Sequence, residues 1–146
     1  MVESISAQLK DAALRLSEAC NRGKNRILKH KSVAHVTNPL DYAWEFHQQF
    51  IDKWSEFGAT TLLLGMNPGP YGMAQTGVPF GATAMARDIL QIEERDVQTP
   101  LGAHPKRPIE GLSMERQEVS GTRFWSMLYD HYGSSEAIFS NIFVVN

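Results

Sequence analysis

A chain of 146 residues with 42% hydrophobic content, three Trp and a formal net charge of −2 is long enough for one packed core and too apolar to stay disordered. The mild acidity gives no general attraction to nucleic acid, and no apolar stretch approaches membrane-spanning length. A single cysteine, Cys20, excludes an internal disulfide and any cysteine-based metal or iron–sulfur site within these residues.

The opening "MVESISAQLKDAALRL" has no basic segment followed by an apolar one, so no signal peptide is expected and the setting is expected to be reducing and intracellular. Residues 4–20 place Ile5, Leu9, Ala12, Leu16 and Ala19 at helical spacing, which predicts an amphipathic helix. The segment "NRGKNRILKHK" (21–31) then carries Arg22, Lys24, Arg26, Lys29 and Lys31 without an acid. It reads as a solvated helix end and loop, with a phosphate-facing patch as the sharper alternative.

Asn38-Pro39 is a helix start, with Asn as cap and Pro in the first turn. Behind it Ala43, Phe46, Phe50, Trp54 and Phe57 form one apolar face, and Gly58 is expected to end the helix. "TTLLLGM" (60–66) is short, apolar and bounded by Gly, which predicts a buried central strand. A helix is expected over Thr83–Leu90, a proline-bearing loop over 99–113, and a further helix capped by Ser120 and carrying Phe124, Trp125, Leu128 and Tyr132. The closing "AIFSNIFVVN" predicts a second buried strand.

That order implies an α/β fold, a sandwich around a short parallel sheet. Two strands cannot make a stable sheet covered on both faces, so the chain is expected to be the first part of a longer protein. It is read as the N-terminal portion of a single domain. An N-terminal helix and basic segment occupy 1–37, and part of a catalytic core occupies 38–146.

The stretch "LLLGMNPGPYGMAQTGVPFG" (62–81) holds the chemistry. In open α/β sheets ligands bind beyond the carboxyl ends of the strands, where Met66-Asn67-Pro68-Gly69-Pro70 sits. Pro68 and Pro70 stiffen the loop and remove two amide donors, which leaves Asn67 as a rigidly placed amide able to hold a water or a substrate group. A second turn, Gly77-Val78-Pro79-Phe80-Gly81, displays an aromatic ring. A lone Asn-Pro-Gly is usually a structural turn; two rigid loops within fifteen residues, each presenting one special side chain, weaken that reading. No phosphate-binding glycine loop is matched. His30, His35, His47 and His131 share no ligand spacing, so neither a metal site nor a cofactor is expected.

"GMNPGPYGMAQTGVPFG" closely resembles the first active-site motif of single-strand-selective monofunctional uracil-DNA glycosylases, members of the uracil-DNA glycosylase superfamily. The resemblance continues through "HPKRPIEGL" (104–112), "EVSGTRFW" (118–125) and "FVVN" (143–146), and covers roughly residues 40–146. It implies a three-layer α/β/α sandwich, incomplete in this chain. The family's second motif, an His-Pro-Ser-Pro segment beside a DNA-wedging helix, has no counterpart among these residues, since "AHPKRP" (103–108) falls too early.

The resemblance further implies that Asn67 positions the hydrolytic water, that Asn146 reads uracil through its carboxamide, and that Phe80 stacks on the flipped base. Gly69 would leave room for 5-substituents such as that of 5-hydroxymethyluracil, and Met66 would line the same pocket. Lys106 and Arg107 read equally as a DNA-phosphate contact or as a solvated turn. Taken alone, Asn146 is only a strand end and Phe80 only core. The implied activity is hydrolysis of the N-glycosidic bond of uracil in single- or double-stranded DNA by a monomer, without membrane association. No Lys stands at a motif position to form a Schiff base, so strand cleavage is not expected. Two alternatives stand beside it: a superfamily member of mismatch-type specificity, and a non-catalytic module that binds damaged bases.

Overall fold

Helix α1 (Ile5–Ile27) starts where Ser4 accepts a hydrogen bond from the Ala7 amide, in a computed structural model that describes residues 3–146. It runs well past the expected end at residue 20 and takes in most of the basic segment, whose exposed Arg22 pairs with Glu18 one turn earlier. That agrees with a solvated helix end. The apolar stripe of α1 is only partly covered, and Leu16 stays half exposed. Polar contacts moor the helix instead: Ser6 Oγ donates to Asp52 at 2.6 Å and Lys10 pairs with the same carboxylate at 2.6 Å.

Asn38 caps the next helix as expected, its side chain accepting from the Leu40 amide. The helix breaks at Ala43 into α2 (Pro39–Tyr42) and α3 (Trp44–Trp54). Phe46, Phe50 and Trp54 are buried on the core face of α3. The helix ends at Trp54, ahead of Gly58, which leaves Phe57 beyond it and 39% exposed.

Strands β1 (Thr61–Leu64) and β2 (Ile142–Val145) pair in parallel, with Leu64 opposite Val145. The structure corrects the expectation of a buried central strand over 60–66. Leu62 is 64% and Leu64 79% exposed, because among the described residues no helix layer covers them and β1 pairs only with β2. Strand β2 is the buried one, with Phe143 and Val144 inside. The fold is therefore α/β around a short parallel sheet.

Between the strands lie α4 (Met73–Thr76), α5 (Thr83–Asp88), a single 3₁₀ turn at Gly111–Ser113, α6 (Val119–Tyr132) and α7 (Ser135–Phe139). Two boundaries differ from expectation. The residue capping α6 is Glu118, so Ser120 falls inside the first turn. The front of "AIFSNIFVVN" is the end of α7, because Ser134 accepts from the Ala137 amide and nucleates a helix before the β-branched run begins. The core joins α3, α5, α6, α7 and β2 around Trp125, Phe139 and Phe50.

His47 on α3 is buried, and its Nδ1 lies 2.7 Å from the Gly77 carbonyl oxygen, fixing the turn that leads to Phe80. Burial lowers its pKa from 6.5, with the Gly77 contact opposing in part. The unfolded chain therefore takes up this proton more readily than the fold does. The His47 contribution is complete above the ordinary histidine pKa of 6.5 and is lost as pH falls below it. We expect the thermal midpoint to fall between about pH 7 and pH 5, a window above most carboxylate titration, and the His47→Gln variant to show a flatter dependence there. An identical pH dependence in both proteins would contradict this.

Candidate active site

The parallel register brings the carboxyl ends of β1 and β2 to one edge of the sheet. The Gly65 amide donates to the Val145 carbonyl at 2.7 Å, so Met66-Asn67 and Asn146 leave the sheet side by side. A cavity of about 270 Å³ opens there, lined by Met66, Asn67, Gly69, Phe80 and Asn146 together with Glu118 and Ser120. All five residues expected to catalyse or to hold a base thus meet on one cavity.

Gly65 makes the meeting possible. A side chain there would run into the Asn146 carboxamide, with its Cβ 2.8 Å from Cγ, and into Phe80 Cε2 at 3.2 Å. The Asn146 Nδ2 group has only the Met73 sulfur as acceptor, at 3.3 Å, and its Oδ1 is buried without a hydrogen-bond partner among the described residues. A buried amide oxygen left unpaired costs about 1–3 kcal/mol, which marks Asn146 Oδ1 as a candidate acceptor for a ligand donor.

Phe80 has φ of 52°, in the left-handed region that bulky side chains avoid. The surroundings over-determine this conformation. The buried Trp125 indole donates to the Phe80 carbonyl at 3.1 Å, and so does the Ala82 amide at 2.9 Å. Phe124 stacks on the ring, with centroids 4.3 Å apart and planes 19° apart. The half-buried ring, backed by Phe124, forms a flat apolar wall of the cavity.

Asn67 is exposed at the mouth, and its Nδ2 donates to the Pro68 carbonyl at 3.3 Å. Met66 is 96% exposed at the same rim. The open space expected above Gly69 is not there: a Cβ at Gly69 would lie on the Glu118 carboxyl, which also fills the room over Gly72 and approaches Gly121, so the expectation of room for 5-substituents is corrected to a place already held by a carboxyl. Burial raises the Glu118 pKa, and the Gly121 amide pulls it partly back. Sequence reasoning assigned no role to Glu118 and gave Ser120 only that of a helix cap. The only available signal was their place in "EVSGTRFW", at the start of a helix whose Phe124 and Trp125 support Phe80.

Lys106 and Arg107 do not line the cavity. The loop that carries them is tied to the Asn67 loop by the buried Gln75, which donates to the Pro70 and Pro108 carbonyls at 3.1 and 3.2 Å and accepts from the Glu110 amide at 2.8 Å. Arg107 reaches Tyr71 on the Asn67 loop at 2.8 Å. Among the described residues the cavity lining holds one carboxylate side chain, Glu118, and otherwise uncharged side chains.

No family profile matches the chain. Among known proteins, it is 46% identical over 114 residues to the single-strand selective monofunctional uracil DNA glycosylase of Bos taurus, an alignment covering 78% of this chain and 42% of that protein. It is 38% identical over 146 residues to the corresponding protein of Rattus norvegicus, covering all of this chain and 52% of that protein. The protein of that name from Mus musculus is 46% identical over 114 residues, covering 78% of this chain and 40% of its own length. The chain spans about half the length of the curated relatives it matches.

Proposed function

Because the chain is a sequence relative of the single-strand selective monofunctional uracil-DNA glycosylases across about half their length, we propose that the protein hydrolyses the N-glycosidic bond of uracil in DNA and so starts base excision repair. The observation that carries the reading is the unpartnered Asn146 Oδ1 beside the Phe80 ring. Uracil extruded from the strand offers an N3–H donor and an O4 acceptor. Asn146 supplies the matching pair, Oδ1 accepting from N3–H and Nδ2 donating to O4. Cytosine reverses both polarities and would leave buried groups facing like against like. Phe80 stacks on the base face, as pockets for flipped nucleotides require.

Bond cleavage leaves an oxocarbenium-like sugar and a uracil anion. Such a reaction needs a placed water more than a strong base, which suits Asn67: an amide orients water without taking its proton. The Asn146 N–H at O4 stabilises the charge that develops on the departing base. In this reading the base leaves by hydrolysis without an imine to the sugar, in keeping with a cavity lined, among the described residues, by no lysine. The finer substrate range extends to 5-hydroxymethyluracil, whose hydroxyl can donate to the Glu118 carboxylate above Gly69. The short parallel sheet belongs, in this reading, to a three-layer α/β/α domain.

Gly69→Tyr puts a ring onto the Glu118 carboxyl and displaces the acceptor proposed for the 5-hydroxymethyl group. We expect this variant to lose 5-hydroxymethyluracil excision more than uracil excision; equal losses would show that Gly69 does not stand beside C5. The proposal as a whole is tested with a panel of oligonucleotides carrying uracil, 5-hydroxymethyluracil, thymine or cytosine, single-stranded and paired with guanine. Release of the two uracil bases alone is expected. Release of thymine from guanine mispairs, with uracil in single strands untouched, would favour mismatch-type specificity instead.

A further inference from the structure

Tyr71, four positions beyond Asn67, is held by two arginines from separate loops. Arg107 Nη1 donates to its phenol oxygen at 2.8 Å and Arg116 Nη1 at 3.0 Å. Both guanidinium groups also lie over its ring, 5.3 and 4.0 Å from the centroid. Neither has a carboxylate within ion-pair distance among the described residues; the four ion pairs found there all lie elsewhere. Two like charges gathered on one phenol repel each other, and no ion pair among the described residues neutralises them.

The arrangement is built rather than loose. Gln75 pins the loops of Tyr71 and Arg107 to each other. Gln117 pins the Arg116 segment to the start of α5, accepting from the Ala84 amide at 2.9 Å and donating to Thr83 Oγ1 at 2.7 Å. With both lone pairs of the phenol oxygen engaged, its own O–H has no acceptor among the described residues and is free to point outward. Two guanidinium forks and one hydroxyl donor, converging without an anion, match the oxygens of a phosphodiester.

We propose that Tyr71, Arg107 and Arg116 form a clamp for one backbone phosphate of the DNA strand, a few nucleotides at most from the base held against Phe80. This rests on the glycosylase reading for the identity of the polyanion, while the clamp itself recognises phosphate of any sequence. It gives Arg107 a defined partner and brings in Arg116, which no motif marked. It leaves Lys106 outside the clamp.

The test is equilibrium binding of short single-stranded oligonucleotides, with uracil or thymine at the central position and a neutral methylphosphonate at each nearby linkage in turn. The parent protein should lose about tenfold in affinity at one linkage of the uracil strand and little at the others, while on thymine DNA, where no base fixes the register, the loss should be small and spread over the linkages. Arg107→Gln with Arg116→Gln should bind the unmodified strand about tenfold or more weakly, with a salt slope shallower by about 0.7, and should be indifferent to the methylphosphonate. Tyr71→Phe, which keeps the ring, should show part of the same loss. Both arginines are exposed, so thermal midpoints should stay close to the parent. Inorganic phosphate alone should compete only at concentrations where other salts do; specific competition by it would point to a free-anion site and overturn the strand assignment. A parent protein insensitive to every neutral linkage, or a double variant that still loses affinity at the same one, would also overturn the clamp. Loss at a neutral linkage together with no release of uracil from the same strand would leave the clamp standing and remove the glycosylase reading.

Discussion

Asn67→Ala is expected to cut single-turnover release of uracil by about a hundred- to a thousandfold while leaving binding of uracil-containing DNA within a few fold. The basis is geometric. Asn67 lies at the exposed mouth of the cavity and, among the described residues, its side chain's only hydrogen bond is to the next residue's carbonyl, so it carries little of the fold. Phe80 and Asn146, proposed to grip the base, are untouched by the change. Removing a group that positions the attacking water raises the barrier without weakening the ground-state complex, which lowers the rate and spares the affinity. Unchanged release would take Asn67 out of the chemistry. An equal loss of rate and affinity would make it a base contact instead.

The second large effect is expected at Asn146. Asn146→Asp keeps the shape and an acceptor but loses the N–H donor to O4. Losing a buried hydrogen bond costs about 1–3 kcal/mol, which lowers uracil excision by roughly ten- to a hundredfold. Cytosine should be discriminated against less strongly, since a protonated carboxyl can donate to its N3 and an ionised one can accept from its N4 amine. The gain is best sought in single strands, where extrusion costs least. Unchanged uracil excision would return Asn146 to the status of an ordinary strand end.

These expectations draw on residues of uneven legibility. The Asn38-Pro39 start, the apolar face of α3 and the existence of both strands follow from local spacing, and local spacing is what a sequence displays. Burial of β1 was not legible, because Leu62 and Leu64 are apolar whatever covers them, and coverage depends on layers contributed from elsewhere in the fold. The α7 boundary was missed where a side-chain cap at Ser134 outweighed the strand propensity of the residues that follow. The roles of the pocket residues came from the resemblance; what the structure adds is their convergence, through a register that sets Gly65 beside Asn146. Glu118 over Gly69 could not be read, since a glycine does not announce which side chain fills its place. Tyr71, Arg107 and Arg116 are separated by 36 and 45 positions and meet only because Gln75 and Gln117 tie their loops together.

The most direct test of the central claim is product analysis after a single turnover on a single-stranded oligonucleotide bearing one uracil. The account predicts free uracil in solution and a full-length strand that breaks only on treatment with alkali, with neither product formed from the thymine control. Binding of the uracil strand without release of the base, or scission of the strand before alkali, would contradict it.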